Sequence, residues 1–287
     1  MNNYSGILTV PMNDGELADF YEHYKSGEDF CFMKQMVNNQ YLVIESSTGE
    51  LIGPYFWCAE TKVFEDVPFR TFSSNRFGDI RPKDKDPYQM AYMDSLVRNQ
   101  LTFCTGPAGS GKTLIALAYA FQEYEKGHIS KIVVFTNPLI ATGAVKLGFL
   151  PGTKTDKLLE TSIGRILISK IGSRIDVEEM MEHEDLILLP MGDARGYEVP
   201  EDSFVYFSEA QNTSKYLMKL FLQRTNDNCK ICVEGDERQV DSDFFEAENN
   251  GMRRAIEVFR GESYAGHVQL KTIYRGRIAR KAEEICD

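Results

Sequence analysis

From about residue 78 onward the sequence predicts an α/β fold, a doubly wound and mainly parallel sheet. Over residues 1–77 it predicts a small β-rich module that precedes this sheet. Three observations carry this reading. Short apolar runs alternate with stretches of helical spacing from about residue 88 to the end, the pattern of strands buried on both faces by crossover helices. One such run, Leu101 to Thr105, passes through a glycine-rich loop directly into helical spacing. Between residues 76 and 87, Gly78, Pro82, Pro87 and a lysine and aspartate run mark an exposed boundary. In such a sheet ligands bind at the carboxyl ends of the strands, so those ends are where chemistry is expected.

Within the first module, Leu17 to Tyr24 predicts one short amphipathic helix. Tyr41 to Glu45, Leu51 to Gly53, Tyr55 to Ala59 and Phe69 to Phe72 predict short strands separated by turn signals. Its aromatics, Tyr41, Tyr55, Phe56, Trp57, Phe64, Phe69 and Phe72, have two readings. They could stack bases on an open β surface, but a module this small needs its aromatics for a core, and core is the favoured reading.

Helical spacing resumes at Pro87 and reaches Val97, with Gln89 near its head. A glutamine amide there can donate to and accept from the N6 and N7 edge of adenine. Next comes the strand Leu101 to Thr105. After it, Gly106, Pro107, Ala108, Gly109, Ser110, Gly111, Lys112 and Thr113 match a phosphate-cradling P-loop, with Leu114 opening the helix to Tyr124. The backbone N–H groups of such a loop wrap phosphates, and the helix N-terminus adds positive potential. A glycine turn that merely caps a helix leaves the Lys–Thr pair unexplained.

Lys131 to Thr136 predicts the second parallel strand and leads to Asn137–Pro138. Leu147 to Gly152 forms a compact loop, and one long helix is expected from Thr155 to Ile171. Leu186 to Leu189 and Phe204 to Phe207 are further buried strands, the latter ending in Ser208–Glu209–Ala210–Gln211–Asn212. In P-loop proteins an apolar strand ending in an acidic pair anchors Mg²⁺ and positions water. Here Ser208 holds the place of the first acid and only Glu209 remains.

A helix from Ser214 to Arg224 and a strand from Lys230 to Glu234 follow, the strand running into Gly235–Asp236–Glu237–Arg238–Gln239. Cys229 and Cys232 have the spacing of a metal pair, but an offset of three along a strand puts them on opposite faces, so no metal is expected there. Met252 to Phe259 predicts a helix, Val268 to Leu270 a last strand, and the chain closes on a terminal helix. This C-terminal part is the most basic, with Arg253, Arg254, Arg260, Lys271, Arg275, Arg277, Arg280 and Lys281. A solvated helix face is the default reading for most of them.

Composition narrows the partners. Of 287 residues, 32 are Lys or Arg and 43 Asp or Glu, a net charge of −11. A sequence-blind grip on nucleic acid relies on cations neutralising phosphates, so any such contact must come from a local basic patch. The six cysteines are scattered with no secretory leader and no apolar run of membrane-spanning length, which predicts a soluble, cytoplasmic protein with reduced thiols and no membrane partner. His23, His128, His183 and His267 form no ligand spacing.

Taken in order, these landmarks resemble the PhoH-like family of P-loop ATPases, whose core is similar to the first motor lobe of superfamily 1 helicases. The likeness covers roughly residues 78 to 285. It rests on Gly106 to Thr113, on Leu147 to Gly152, on Glu209 to Asn212, and on Gly235–Asp236 with Gln239 and Asp241 downstream. The resemblance implies a RecA-like fold, ATP and Mg²⁺ as cofactors, and activity directed at RNA or single-stranded nucleic acid. It also implies a homo-oligomeric ring, a hexamer, in which a neighbouring protomer completes the site of a single motor lobe. Gln89 is similar to the adenine-reading glutamine of those helicases, and Arg275 to their phosphate-contacting arginine, acting in cis or in trans.

On this footing the expected reaction is Mg²⁺-dependent ATP hydrolysis. Lys112 neutralises the β and γ phosphates, Thr113 ligates Mg²⁺ beside Ser208 and Glu209, Glu209 orients the attacking water, and Asp236 and Gln239 sense the γ-phosphate. Three departures qualify the likeness. Ser208 stands where an Asp is usual, Asn137 stands where an Arg is usual, and residues 1–75 lack the acidic set of the nuclease domain fused to some relatives, so no nuclease is expected. Ser208 also keeps open a rival of another class, a nucleotide-gated binding protein with negligible hydrolysis. A small-molecule kinase is a third reading, disfavoured because no arginine-rich lid is visible.

Overall fold

The computed structural model describes residues 4–136, 153–239 and 249–282. Asn137, Pro138, the loop at 147–152 and Asp241 lie outside the described residues.

The N-terminal part holds β1 (Ile7–Pro11), α1 (Asp14–His23), β2 (Tyr41–Glu45), β3 (Leu51–Cys58), β4 (Val63–Asp66), β5 (Phe72–Ser74) and β6 (Gly78–Ile80). The first four strands form one sheet in chain order, β1 parallel to β2 and the other pairs antiparallel. The β-rich module is therefore present, with α1 beginning a turn earlier than expected. Asn13 and Glu16 cap it reciprocally: Asn13 Oδ1 accepts from the Glu16 N–H at 3.0 Å, and Glu16 Oε2 accepts from the Asn13 N–H at 2.9 Å. The two runs expected at 51–53 and 55–59 are one strand, β3, and the strand near residue 72 starts at Phe72 rather than Phe69.

Beyond it follow α2 (Pro87–Arg98), β7 (Leu101–Thr105), α3 (Lys112–Glu125) and β8 (Lys131–Thr136), then α4 (Lys154–Leu159), α5 (Ser162–Ile171), α6 (Arg174–Glu182) and β9 (Leu186–Pro190). The remainder is β10 (Ser203–Ser208), α7 (Lys215–Leu222), β11 (Lys230–Gly235), α8 (Gly251–Val258), β12 (Ala265–Gln269) and α9 (Arg277–Ala282). Six strands make a sheet in the order β12-β7-β11-β10-β8-β9, and every neighbouring pair is parallel. Because β11 lies between β7 and β10, the strand feeding the glycine loop does not touch the strand ending in Ser208.

The single helix expected over 155–171 is two. Thr161 takes an extended backbone and its hydroxyl accepts from the Gly164 N–H at 3.2 Å, an N-cap that restarts the helix after Leu159. A side chain at Gly164 would meet the Leu159 backbone, so the glycine lets the two helices pack end to end. α6 carries no signal that the sequence reading used.

Side-chain alternation gives the N-terminal sheet two interiors. Leu42 and Ile44 face a cluster with Phe20, Tyr55, Trp57 and Phe64, whereas Tyr41 and Val43 join Phe56 in the cluster that runs through α2 and α3. Six of the seven module aromatics are buried and Phe69 alone of them is exposed, so the core reading holds over the base platform. The junction is also polar. Asp94 of α2, fully buried, accepts from Tyr41 Oη at 3.1 Å, Arg70 Nη2 at 2.9 Å and Arg98 Nε at 2.6 Å. Lys230 Nζ donates to the Val97 and Asn99 carbonyls at 2.7 and 2.9 Å, closing the end of α2 onto β11. Cys229 and Cys232 enter different clusters on opposite sides of the sheet, as the strand geometry requires.

Candidate nucleotide site

The loop from Gly106 to Gly111 joins the end of β7 to the start of α3. Gly106, Gly109 and Gly111 have φ of +144°, +84° and +97°, conformations that side chains disfavour. A Cβ on Gly106 would stand 2.5 Å from the Leu270 carbonyl oxygen, so the loop closes against the segment after β12 only because that position is bare. Ser110, fully buried, turns its hydroxyl onto the Pro107 carbonyl at 2.8 Å. Leu114 packs its side chain into the core, leaving its backbone at the helix start.

Lys112 is the first residue of α3 and is buried. Its Nζ donates to the Gly106 and Pro107 carbonyls at 2.7 and 3.1 Å, and among the described residues it forms no ion pair. A buried ammonium at a helix N-terminus, whose hydrogen-bond partners among the described residues are two carbonyls of its own loop, suits an anion.

The strand ends bring acidic and amide groups to the same place. Glu209, just beyond β10, is exposed with φ +54° and ψ +39°, left-handed backbone of a kind that costs on the order of 1–3 kcal/mol and collects at functional sites. Gln211, buried, ties it down: Gln211 Nε2 donates to Glu209 Oε2 at 2.8 Å and to the Gln239 carbonyl at 3.2 Å, while Gln211 Oε1 accepts from the Asp236 N–H at 3.1 Å. Asp236 is buried and its Oδ1 accepts from the Arg238 N–H at 3.1 Å. Gln239 has an exposed side chain. The Gly106 N–H donates to the Gly235 carbonyl at 3.3 Å, so the acidic loop and the phosphate loop are joined directly. In the sequence the signal for Gln211 is an amide two residues beyond the acidic strand end, within the run Glu209 to Asn212.

Gln89 and Arg275 both meet this loop. The Gln89 amide donates to the Ser110 carbonyl and accepts from the Lys83 N–H, each at 2.8 Å, so the residue expected to read adenine braces the P-loop here. The stem of Arg275 lies across Gly109, whose Cβ would stand 2.6 Å from Arg275 Cγ, and the neighbouring Tyr274 N–H donates to the Gly109 carbonyl at 3.0 Å. Arg275 thus lies beside the loop of its own chain, with its side chain exposed. Between Tyr274, Thr272, Asp86, Pro87, Met90 and the exposed Phe69 lies an open cleft of about 620 Å³.

The sequence reading missed one carboxylate. Glu234, the penultimate residue of β11, is buried, accepts from Thr113 Oγ1 at 3.1 Å through Oε1, and leaves Oε2 with no hydrogen-bond partner among the described residues. Burial raises its pKa, opposed by the Lys112 charge and reinforced by that of Glu209, which places all three groups in one field. Glu209 is what remains of the acidic pair at the end of β10, and a second carboxylate, Glu234, arrives from the neighbouring strand. Its signal was a glutamate directly after the apolar run Ile231–Cys232–Val233. Ser208 is buried at the end of β10, where it pairs with Thr136 of β8.

Thr113, Ser208, Glu209 and Glu234 offer only oxygen donors, the hard set that suits Mg²⁺, and the orphaned Glu234 oxygen fits such an ion. Among the described residues no three His, Cys, Asp or Glu side chains gather to hold a metal unaided. Mg²⁺ is commonly held in that manner, by one or two carboxylates with substrate phosphates and water completing its shell.

Residues 79–287 match the family model described as PhoH-like protein. The chain is 30% identical to protein PhoH2 of Bacillus subtilis over 98% of its own length and 68% of that protein. It is 34% identical to a PhoH-like protein of the same organism over 74% of its length and 65% of that protein. A PhoH-like protein of Mycobacterium bovis is 33% identical over 64% of this chain, which spans 51% of that relative. Among solved structures, the Pif1 helicase of Candida albicans matches 69% of the chain at 15% identity with a TM-score of 0.35. Among the described residues no helix is long and apolar enough to cross a membrane.

Proposed function

The chain belongs to the PhoH-like protein family, and from that premise we propose that it is an ATPase that hydrolyses ATP with Mg²⁺. The observation that carries this is Lys112, a buried ammonium at a helix N-terminus whose partners are two carbonyls of its own loop. Phosphate oxygens would replace those carbonyls. Backbone N–H groups from Gly109 to Leu114 would surround the β-phosphate as the helix dipole adds to them. Bound Mg²⁺, held through Thr113 and the neighbouring carboxylates, would neutralise charge on the β and γ phosphates.

The remaining work falls to residues beyond β10 and β11. Glu209 orients water for in-line attack, and Gln211 is a positioning residue that fixes Glu209 relative to Asp236 and Gln239. That linkage lets the γ-phosphate be sensed where Asp236 and Gln239 sit. Arg275, lying over Gly109, is close enough to the loop to add positive charge from the same chain. The cleft beside Tyr274 and Pro87 offers a place for the base, with Gln89 beneath the loop.

RNA or single-stranded nucleic acid as partner, and a homo-oligomeric ring, remain part of this proposal and rest on the family resemblance. With a net charge of −11, such binding would depend on a local patch such as Arg253 and Arg254, both exposed on α8. Ser208 supports the second reading, a nucleotide-gated binding protein with negligible turnover, because a hydroxyl carries no charge against Mg²⁺. Phosphate release at saturating ATP, with and without RNA, beside a nucleotide-binding titration, separates the two: binding with turnover supports the ATPase, and binding without it supports the gate.

A further inference from the structure

Ser208 leaves the end of β10 without the carboxylate that a P-loop site uses for its cation, yet the adjacent strand carries one. On β10, Phe204 and Tyr206 face the cluster beneath α3, so Ser208, two residues on, faces the same side. On β11, Cys232 faces that side too, and Glu234 follows it at the same interval. Phe207 pairs with Val233, which puts Ser208 and Glu234 side by side one step further. β11 is also the strand next to β7, so Glu234 stands one strand nearer the phosphate loop than Ser208 does.

Resting on the ATP and Mg²⁺ reading above, we propose that Glu234, in place of Ser208, supplies the carboxylate that holds the divalent cation with Thr113. Two observations carry this beyond proximity. Glu234 is almost wholly buried, and its Oε2 has no hydrogen-bond partner within 3.5 Å among the described residues, the nearby Tyr206 hydroxyl being equally unpartnered at that distance, an arrangement that disfavours the fold and that an apolar side chain would avoid. A cation would satisfy that oxygen. The spacing also suits one: adjacent ligands of an octahedral Mg²⁺ with arms of about 2.0–2.1 Å lie roughly 2.9 Å apart. Thr113 Oγ1 and Glu234 Oε1, the carboxylate oxygen that accepts from the threonine, are 3.1 Å apart, so the two side chains already converge at ligand spacing while Oε2 is left for the cation. The carboxylate has moved one strand along the sheet.

The test measures affinity for a fluorescent ATP analogue with Mg²⁺ and with EDTA, in the parent chain, Glu234→Gln, Ser208→Asp and the double variant. The thermal midpoint of each protein without nucleotide is recorded alongside. Glu234→Gln keeps the shape of the side chain and removes a buried charge, so its midpoint should equal or exceed that of the parent. Its affinity in EDTA should be unchanged or tighter. Its gain from Mg²⁺ should fall on the order of ten- to a hundredfold, the usual cost of a lost carboxylate at a metal site. The double variant restores a carboxylate one strand away and should recover part of that gain. An undiminished Mg²⁺ gain in a folded Glu234→Gln overturns the assignment while leaving nucleotide binding standing, as does a parent that binds the analogue but gains nothing from Mg²⁺. A parent that binds no analogue in either condition overturns the nucleotide reading and this inference together.

Discussion

Replacing Lys112 by alanine should separate ligand binding from folding. In the folded protein the ammonium donates two hydrogen bonds, to Gly106 and Pro107 carbonyls at 2.7 and 3.1 Å, and forms no close ion pair among the described residues. Hydrogen bonds from a charged donor contribute about 1.5–3 kcal/mol each. Removing the ammonium from water costs several kcal/mol, so the two effects offset one another and the unliganded protein should change by no more than about 1–2 kcal/mol. Binding behaves differently. A ligand present at a hundred times its Kd stabilises the folded state by about 2.7 kcal/mol. For a chain of this size each kcal/mol moves the thermal midpoint by roughly 2–4 °C, giving a shift of about 5–11 °C with Mg·ATP in the parent. Lys112→Ala should melt near the parent without nucleotide and lose most of that shift. Differential scanning fluorimetry at matched ATP concentrations reads both quantities. A variant that keeps the full ATP shift refutes the phosphate role of Lys112. One that loses more than about 3 kcal/mol without ATP shows that the lysine serves the fold instead.

Three further outcomes are expected. Glu209→Gln should leave ATP-analogue affinity within a few fold and lower phosphate release by on the order of a hundredfold, as measured by single-turnover hydrolysis beside a binding titration. Asp94→Ala leaves Arg70, Arg98 and Tyr41 around a vacated buried position, so chemical denaturation should report a loss of about 3–5 kcal/mol, with the N-terminal sheet and the parallel sheet unfolding together. His267, buried with Nε2 3.0 Å from Thr105 Oγ1, has its pKa pushed down by burial to about 3. Because the unfolded chain takes up its proton near pH 6.5 and the folded chain only near pH 3, stability is lost as pH falls through this window, about 2 kcal/mol by pH 5. Urea unfolding of the parent and His267→Gln between pH 7 and 5 should show the slope in the parent and its reduction in the variant.

What the sequence determined by itself was local. The strands at 101–105 and 131–136 coincide with the structure to the residue, and the parallel arrangement of the six-stranded sheet was readable from alternating apolar runs and helices. The glycine loop with Lys112 and Thr113 was also legible as a motif, because the positive-φ turns of the loop depend on a few consecutive residues. Caps were not read: Asn13 with Glu16, and Thr161 before Gly164, moved or split helices that had been placed by apolar periodicity alone. What the tertiary structure alone decided was which strand ends are neighbours. The order β7-β11-β10 brings Glu234 onto Thr113 across a sequence separation of 121 residues, and no spacing along the chain encodes that contact. The same holds for Arg275 over Gly109 and for Tyr41 on Asp94. Hydrophobic periodicity specifies which face of an element is buried, whereas the partner across that face is fixed only when competing packings of the whole chain are resolved.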